Sequence, residues 1–227
     1  MKKGLVVVGI LSFLLAGCST TGSSAKETDP EVQEISVSLP AELTTLDTTQ
    51  TTDKVTFTVI QHLFEGSYRF DEKSQPVPGL AEEAVISEDG KTYTFKLKEE
   101  AKWSDGQQVQ AADFAYAWKK LVDPKTMGPN AYLLDNVVNS QDIREGKADI
   151  ATIGLETPDE KTFVVHLEQL QPSFLSVVSI GWLAPQRQSY VEEKGTAYGK
   201  TSEDLLYTGP FILKDWQQDR KSTRLNS

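Results

Sequence analysis

The chain has 227 residues, a formal net charge of −10 and a single cysteine. Its acidic balance, with a pI near 4.8, excludes the basic surface on which nucleic-acid binding depends, and it gives no attraction to anionic lipid. An apolar content of 38% with four Trp residues is enough for a globular core, and the length allows one or two domains.

The first residues have the pattern of an export signal. Lys2 and Lys3 precede an apolar run, Leu5–Leu15, that is well short of the ~20 residues of a membrane-spanning helix. The run ends in Leu-Ala-Gly-Cys18, which resembles the bacterial lipobox. We therefore expect a signal peptide over 1–17 and a diacylglycerol on Cys18. The alternative is an ordinary signal peptide with an incidental cysteine.

Two further segments differ in composition from the middle of the chain. Residues 18–34 are polar and rich in Ser, Thr and Gly, which predicts a flexible tether. Residues 220–227 are abruptly basic and have no apolar periodicity. We expect them to be a non-native tail, with the natural frame ending near Asp219.

The elements before residue 80 follow from short patterns. Glu34–Leu39 alternates polar and apolar residues, as a half-buried strand does, and Thr44–Thr52 is a polar loop. Val55, Val59 and Leu63 then share one helical face. The remaining predictions here are a helix cap at Thr52 or Asp53, a strand over Tyr68–Phe70 and a turn over Pro76–Gly79.

Two similar β-hairpins are predicted in the middle of the chain. They cover Val85–Leu97 and Ile153–Leu167, and an Asp-x-Lys-Thr pattern begins at Asp89 and again at Asp159. In the first hairpin Gly90 follows Asp89, and this Asp-Gly pair is a strong turn signal. A shared hairpin geometry explains the likeness without a duplicated domain.

Three helices are predicted beyond the first hairpin. Residues 112–122 place Phe114, Trp118 and Leu121 on one stripe, and Asp123-Pro124 ends this helix. Pro172–Val178 and Pro185–Lys194 are predicted as helices that carry Pro in the first turn. Hairpins mixed with helices indicate an α+β fold with mainly antiparallel pairing.

The sequence contains no recognisable catalytic or metal-binding pattern. His62 and His166 have no partner at metal-ligand spacing, and no nucleophile elbow, phosphate loop or dinucleotide fingerprint occurs. We expect no enzyme activity, no metal and no cofactor. A secreted lipoprotein hydrolase is the alternative of another class, and it requires a nucleophile or a metal cluster.

The Trp residues are the other candidates for a binding surface. Trp118 lies on the apolar stripe of its helix and is expected in the core, and Trp103 is expected to pack beneath the following turn. Trp182 follows Ile180-Gly181 and is the candidate for a cleft. Core packing is its alternative role.

A series of motifs carries a resemblance to one family. The motifs are Leu46-Asp47, Leu63–Gly66, Pro78–Ala84, Asp89–Lys98, Ala101–Gly106, Ala112–Trp118, Asp123-Pro124 and Thr208–Trp216. In order and spacing they resemble the family 5 solute-binding proteins of peptide ABC importers, from about Ile35 to Asp219. The nearest subgroup is the lipoproteins that bind oligopeptides or peptide pheromones.

The resemblance implies a fold and a division into lobes. The fold is periplasmic-binding-protein-like, type II, class C. Residues 35–64 and 183–219 would form part of a first lobe, and 65–182 a smaller inserted α+β domain. Because family members are more than twice this length, we expect an incomplete first lobe and half a cleft that binds peptide weakly or not at all.

The resemblance also implies site residues and partners. By resemblance, Thr51, Thr52, Asp53 and Asn130 would line the cleft. A plain helix cap is the alternative role for 51–53. Trp182 is a further candidate for the cleft, chosen because it follows Ile180-Gly181 and not from the resemblance. The resemblance implies a monomeric protein that is anchored through Cys18 on the outer face of the cytoplasmic membrane and passes oligopeptides to an ABC permease. Pheromone, nickel, haem or oligosaccharide are the alternative cargoes on the same scaffold.

Overall fold

The computed structural model describes residues 34–216 and the backbone of 223–226, all within one compact unit. The strands are β1 (Glu34–Val37), β2 (Tyr68–Phe70), β3 (Pro76–Pro78), β4 (Val85–Ile86), β5 (Thr92–Lys96), β6 (Leu155–Glu156), β7 (Thr162–His166), β8 (Ile212–Trp216) and β9 (Thr223–Asn226). The α-helices are α1 (Lys54–Leu63), α2 (Ala111–Val122), α3 (Ser140–Arg144), α4 (Phe174–Val178) and α5 (Gln188–Lys194). Single 3₁₀ turns lie at Ala131–Leu134, Ile150–Thr152, Gly181–Leu183, Gly195–Ala197 and Ser202–Asp204.

The two predicted hairpins join into one antiparallel sheet with the order β4-β5-β7-β6. Each hairpin contributes its longer strand to the centre, where Thr92 pairs with His166 and Phe95 with Phe163. Gly90 has a φ of +68°, which a residue without a Cβ adopts at no steric cost. Both hairpin predictions are confirmed, and the two hairpins pair with each other through β5 and β7 at the centre of the sheet.

Helix α2 covers this sheet and closes the larger of two hydrophobic cores. Phe163 on β7 lies at the centre, with ring centroids 5.0 Å from Trp118, 5.6 Å from Phe114 and 6.2 Å from Phe95. Burying such a ring stabilises a protein by about 3–5 kcal/mol relative to Ala. The predicted helix and the core position of Trp118 are confirmed.

The second core forms around helix α1 and the segments near the two ends of the described chain. Val59, Ile60 and Leu63 turn inward from α1, and Tyr198 and Leu213 pack in the same cluster. The sheet beside it has the order β1-β9-β8 and is antiparallel throughout. The predicted strand near residue 34 and the helix that follows Asp53 are confirmed.

The two cores are separate clusters of buried side chains. The first runs from Tyr68 to Leu183 with Leu206 added, and the second comprises residues within 43–64 and 184–213. Trp118 fixes the chain at the boundary, because its Nε1 donates at 3.0 Å to the carbonyl of Leu183, the residue before Ala184 of the second cluster. The clusters follow the predicted division at 64/65 and 182/183 except at Leu183 and Leu206, which pack in the first cluster, and the division stays a prediction.

The prediction of a turn at Pro76–Gly79 is wrong, because Pro76–Pro78 forms β3 and pairs with β2. The turn lies earlier: the Asp71 carboxylate accepts from the amides of Lys73 and Gln75. Asp71 and Gln75 form a hydrogen-bonded pair at one end of the β2–β3 ladder, and Ser67 and Gly79 form one at the other end. Hydrogen-bonded and non-hydrogen-bonded pairs alternate along an antiparallel ladder. Pro76 and Pro78 therefore occupy non-hydrogen-bonded positions, where no amide proton is needed.

The predicted starts of the last two helices are also wrong. Pro172 and Pro185 precede α4 and α5, whose N-caps are Ser173 and Arg187. Before α5, the amide of Gln186 donates to the carbonyl of Asp113, which holds the chain extended until Arg187.

Two predictions concern the ends of the chain. Cys18, with the signal peptide and most of the tether, lies outside the described residues. Within the predicted non-native tail the backbone of Thr223–Asn226 forms β9, and the foreign origin of 220–227 stays a prediction. In the parts of the chain that the structure describes, no helix has both the length and the apolarity needed to cross a membrane.

Asp113 forms a buried polar link at the start of α2. Its Oδ2 accepts from the indole Nε1 of Trp103 at 3.1 Å and from the amide of Gln110 at 2.9 Å. Trp103 is itself buried, and its packing beneath the following turn stays a prediction. Burial raises the pKa of the Asp113 carboxyl above its ordinary value, and these hydrogen bonds oppose that rise only in part.

The raised pKa of Asp113 predicts a pH dependence of stability. A carboxyl that binds its proton more tightly when folded destabilises the fold at neutral pH, and this penalty disappears as the pH falls through the folded pKa towards the unfolded one. The free energy of unfolding of the wild type should therefore rise relative to Asp113→Asn between about pH 7 and about pH 4. Guanidinium titrations of both proteins at several pH values measure this difference, and an opposite slope would contradict the assignment.

Candidate functional site

The polar loop between β1 and α1 is buried to an unusual extent. Asp47, Thr48, Thr49 and Thr51 are all less than a tenth exposed. Its base is fixed by Gly199, whose carbonyl accepts from the amide of Leu46 at 2.7 Å. Gly199 has a φ of +77°, and a Cβ there would lie 2.5 Å from the Asp47 nitrogen. This close approach requires glycine.

The carboxylate of Asp47 organises the loop. Its Oδ1 accepts from the amide of Thr49 at 3.0 Å, from the Thr49 hydroxyl at 2.8 Å and from Nε2 of Gln186 at 2.9 Å. The carbonyl of Asp47 accepts from the amide of Gln50, so the chain turns tightly over 47–50. Gln186 Nε2 also donates to the Thr48 hydroxyl. The turn is therefore held by its own polar groups and by a side chain from a distant part of the chain.

Lys120 supplies the countercharge from helix α2. Its Nζ lies 2.8 Å from Asp47 Oδ2 and 3.0 Å from Gln186 Oε1. The side chains of Lys120 and Asp47 are only 18% and 11% exposed, so this is a largely buried ion pair. The ammonium also lies 5.1 Å from the ring centroid of Tyr198. Burial, with the nearby Asp47 charge, raises the pKa of the Tyr198 hydroxyl well above its ordinary value.

The far end of the loop is held by Asn130. This residue is 2% exposed, and its Nδ2 donates to the carbonyl of Thr51 at 2.7 Å. The Thr51 hydroxyl donates to Asp53 Oδ2 at 3.2 Å, and Asp53 Oδ1 caps α1 by accepting from the Thr56 amide. Burial acts to raise the pKa of Asp53, but the hydrogen bonds from Thr56 and Thr51 outweigh it and the pKa is lowered.

Thr52 differs from both of its neighbours. It is exposed, and neither its main chain nor its hydroxyl forms a hydrogen bond with any residue in 34–216. Thr51 and Asp53 on either side are fixed by Asn130 and by the helix cap. Thr52 is thus an exposed residue whose main-chain N–H and C=O are without a partner among the described residues, between two neighbours held by specific contacts.

The structure brings most of the predicted site residues together. Thr51, Thr52, Asp53 and Asn130 form one continuous group, as described above, and a peptide-binding role for each stays a prediction. Asp53 is also a helix cap, so the alternative role is present as well. Asn130 is turned into the loop, which makes it a support for Thr51 in this structure.

Trp182 lies beside helix α1. Its ring centroid is 4.7 Å from that of Phe57, whose amide donates to the carbonyl of Asp53. Trp182 is half-buried, and its Nε1 finds no acceptor within the described residues. It is thus joined to the loop through the first turn of α1, and its role in binding stays a prediction.

The histidines have local partners. His62 Nδ1 lies 2.7 Å from the carbonyl oxygen of Thr58, and His166 lies between the Thr92 hydroxyl and the Glu156 carboxylate. Across 34–216, no group of three or more His, Cys, Asp or Glu residues is placed to hold a metal ion.

Sequence reasoning did not find Lys120 or Gln186. Lys120 is one of two adjacent lysines on α2, and the pattern gives no sign that one of them is buried against an acid. Gln186 lies in the segment predicted as a helix. Asp47 belongs to a quoted motif, but its spacing to Lys120 carries no signal, because the contact depends on tertiary packing.

Comparison with known proteins then identifies the family. The model of the bacterial extracellular solute-binding proteins, family 5 (middle region), matches residues 75–226, which includes most of the segment predicted to be a non-native tail. A dipeptide-binding protein of Lactococcus lactis subsp. cremoris is 36% identical over 208 residues, covering 92% of this chain and 36% of that protein. The chain therefore spans little more than a third of this relative.

Solved structures agree with this match. The substrate-binding domain of an oligopeptide ABC transporter from Bacillus anthracis superposes with a TM-score of 0.77 at 36% identity, covering 81% of this chain and 38% of that one. Listeria monocytogenes OppA bound to peptide gives 0.76 at 37% identity, covering 78% and 35%. The predicted α+β fold of the type II periplasmic-binding-protein-like class is confirmed, and the chain belongs to family 5 of the bacterial extracellular solute-binding proteins.

Proposed function

We propose that the protein carrying this chain captures oligopeptides and delivers them to the permease of an ABC importer. The observation that carries the proposal is the free main chain of Thr52, exposed between two fixed neighbours. The named relatives support the cargo, since one is called a dipeptide-binding protein and another is OppA bound to peptide. Peptide is therefore favoured over nickel, haem or oligosaccharide.

A free main-chain N–H and C=O suit an extended peptide of any sequence. Every peptide offers the complementary groups, so pairing with them gives affinity without selecting side chains. Because Asn130 and the α1 cap already hold Thr51 and Asp53, little ordering entropy is lost when a peptide binds. Thr51, Thr52, Asp53 and Trp182 are the proposed peptide-facing group, with Asn130 behind it.

The proposal includes a membrane location. Two relatives, from Salmonella typhimurium and Escherichia coli, are called periplasmic oligopeptide-binding proteins. The Cys18 motif adds a lipid anchor on the outer face of the cytoplasmic membrane. A diacylated cysteine carries two chains, which is enough for stable anchoring. The polar segment 18–34 would then keep a monomeric receptor near its permease and raise the local concentration of captured peptide.

Peptide capture is tested on the product of the longest reading frame that contains this chain. Calorimetry with peptides of different lengths should show binding at about micromolar Kd or tighter, and mass spectrometry should recover each peptide intact. Binding of one sequence alone would indicate a pheromone receptor. Cleaved peptide would indicate a hydrolase, and binding of nickel, haem or oligosaccharide without peptide would overturn the proposal.

Pairing through the main chain of Thr52 makes a sharper prediction. Thr52→Pro removes the amide proton and should weaken peptide binding about tenfold, the effect of one lost hydrogen bond. Thr52→Ala keeps the backbone and removes only the hydroxyl, so it should bind as the wild type does. Thermal melts followed by circular dichroism check that both variants fold.

The same pairing is tested from the ligand side. Peptides methylated at single backbone nitrogens should lose affinity at one or more positions, and this result does not depend on the folding of a variant. Equal affinity for every methylated peptide, with Thr52→Pro unchanged, would contradict main-chain pairing.

Lipid attachment at Cys18 predicts a change of location. Cys18→Ala, expressed in a bacterial host, should no longer incorporate labelled fatty acid and should move from the membrane to the soluble exported fraction. Ser19→Ala is the matched control and should stay membrane-bound. Membrane retention of the Cys18 variant would show that anchoring has another origin.

A further inference from the structure

Lys120 brings a charge into the interior between the two cores. It extends from α2, which belongs to the first core, towards Asp47 and Tyr198 beside the second. Its ammonium contacts the Asp47 carboxylate, the Gln186 amide oxygen and the face of the Tyr198 ring. The Lys120 side chain is only 18% exposed.

The ion pair is coupled to the loop through one carboxylate. Asp47 Oδ2 accepts a hydrogen bond from the Lys120 ammonium, and Oδ1 accepts one from the amide and one from the hydroxyl of Thr49. Removal of Lys120 would leave a buried carboxylate without countercharge, which is strongly unfavourable. The carboxylate would then turn towards water, and its two hydrogen bonds from Thr49 would break.

The loop has two independent supports, one on each side of Gln50. Asp47 fixes the turn that leads into Gln50, and Asn130 fixes the carbonyl of Thr51 after it. The Gln50 side chain adds only an exposed 3.4 Å contact to the Thr126 carbonyl. The direction in which the chain enters Thr51–Asp53 therefore depends on the Asp47 turn.

We infer that Lys120, acting through Asp47, is a positioning residue that holds Thr51–Asp53 in the form that binds peptide. The inference rests on the proposed function and adds to it the group that sets the geometry of the site. The hydrogen bonds of the Lys120 ammonium go to Asp47 and Gln186, behind the proposed peptide-facing group. Its effect on binding would be transmitted through Thr49.

The test compares Lys120→Met with Lys120→Arg, in the product of the longest reading frame that contains the chain. Lys120→Met should speed amide hydrogen exchange at 49–53 and weaken peptide binding, each by about tenfold. Exchange in β5 and β7 should stay as in the wild type. Lys120→Arg keeps the charge and should restore both properties.

Lys119→Met is the matched control. It removes the neighbouring lysine of the same helix, whose side chain forms no hydrogen bond or ion pair within 34–216, and it should change neither property. Thr49→Val tests the transmission step with little risk to folding. It removes one donor to Asp47 and should give a smaller change of the same kind.

The outcomes separate this inference from the proposed function. Faster exchange in β5 and β7 to the same extent as in 49–53 would show a general structural role and overturn the inference. So would unchanged peptide affinity in Lys120→Met. Absence of peptide binding by the wild type would overturn the proposed function, and the exchange comparison would then decide alone whether Lys120 orders the loop.

Discussion

A carboxylate that is nearly buried must be compensated, and the compensation of Asp47 shapes this structure. The ammonium of Lys120 and the amide of Gln186 come from parts of the chain that are far from Asp47 in sequence. Removing one partner of a buried ion pair such as Asp47–Lys120 costs about 3–5 kcal/mol. Together with the Gln186 contacts, the pair fixes the three segments relative to one another. The rigid loop beside α1 is a consequence of this electrostatic requirement.

The support of the loop and its exposed residue have different chemistry. The Thr49 hydroxyl and the Thr51 carbonyl form hydrogen bonds within the protein, whereas Thr52 is exposed and forms none with the described residues. The proposed capture of varied peptides would benefit from this separation, because the fixed part need not change with the ligand. The helix cap at Asp53 serves both parts, since it ends the loop and starts α1.

Much of the fold could be predicted because it follows from local patterns. The Asp-Gly turn, the stripe around Trp118 and the cap at Asp53 each act within a few residues. The errors arose where tertiary contacts decide: Pro76 and Pro78 occupy ladder positions that need no amide proton, and Gln186 is held extended by Asp113. For the site, the family resemblance gave Thr51 and Asn130, whose contact is observed, but no local pattern shows that Lys120 is buried.

The pairing of β5 with β7 has a consequence for the order of folding. Thr92 and His166, which face each other across this pair, are 74 residues apart in the chain. Closing so long a segment is entropically costly and slow, whereas each hairpin forms from neighbouring residues. Helix α2 lies within that segment and packs against β7, so the sheet centre and its covering helix should assemble together, late on the folding pathway.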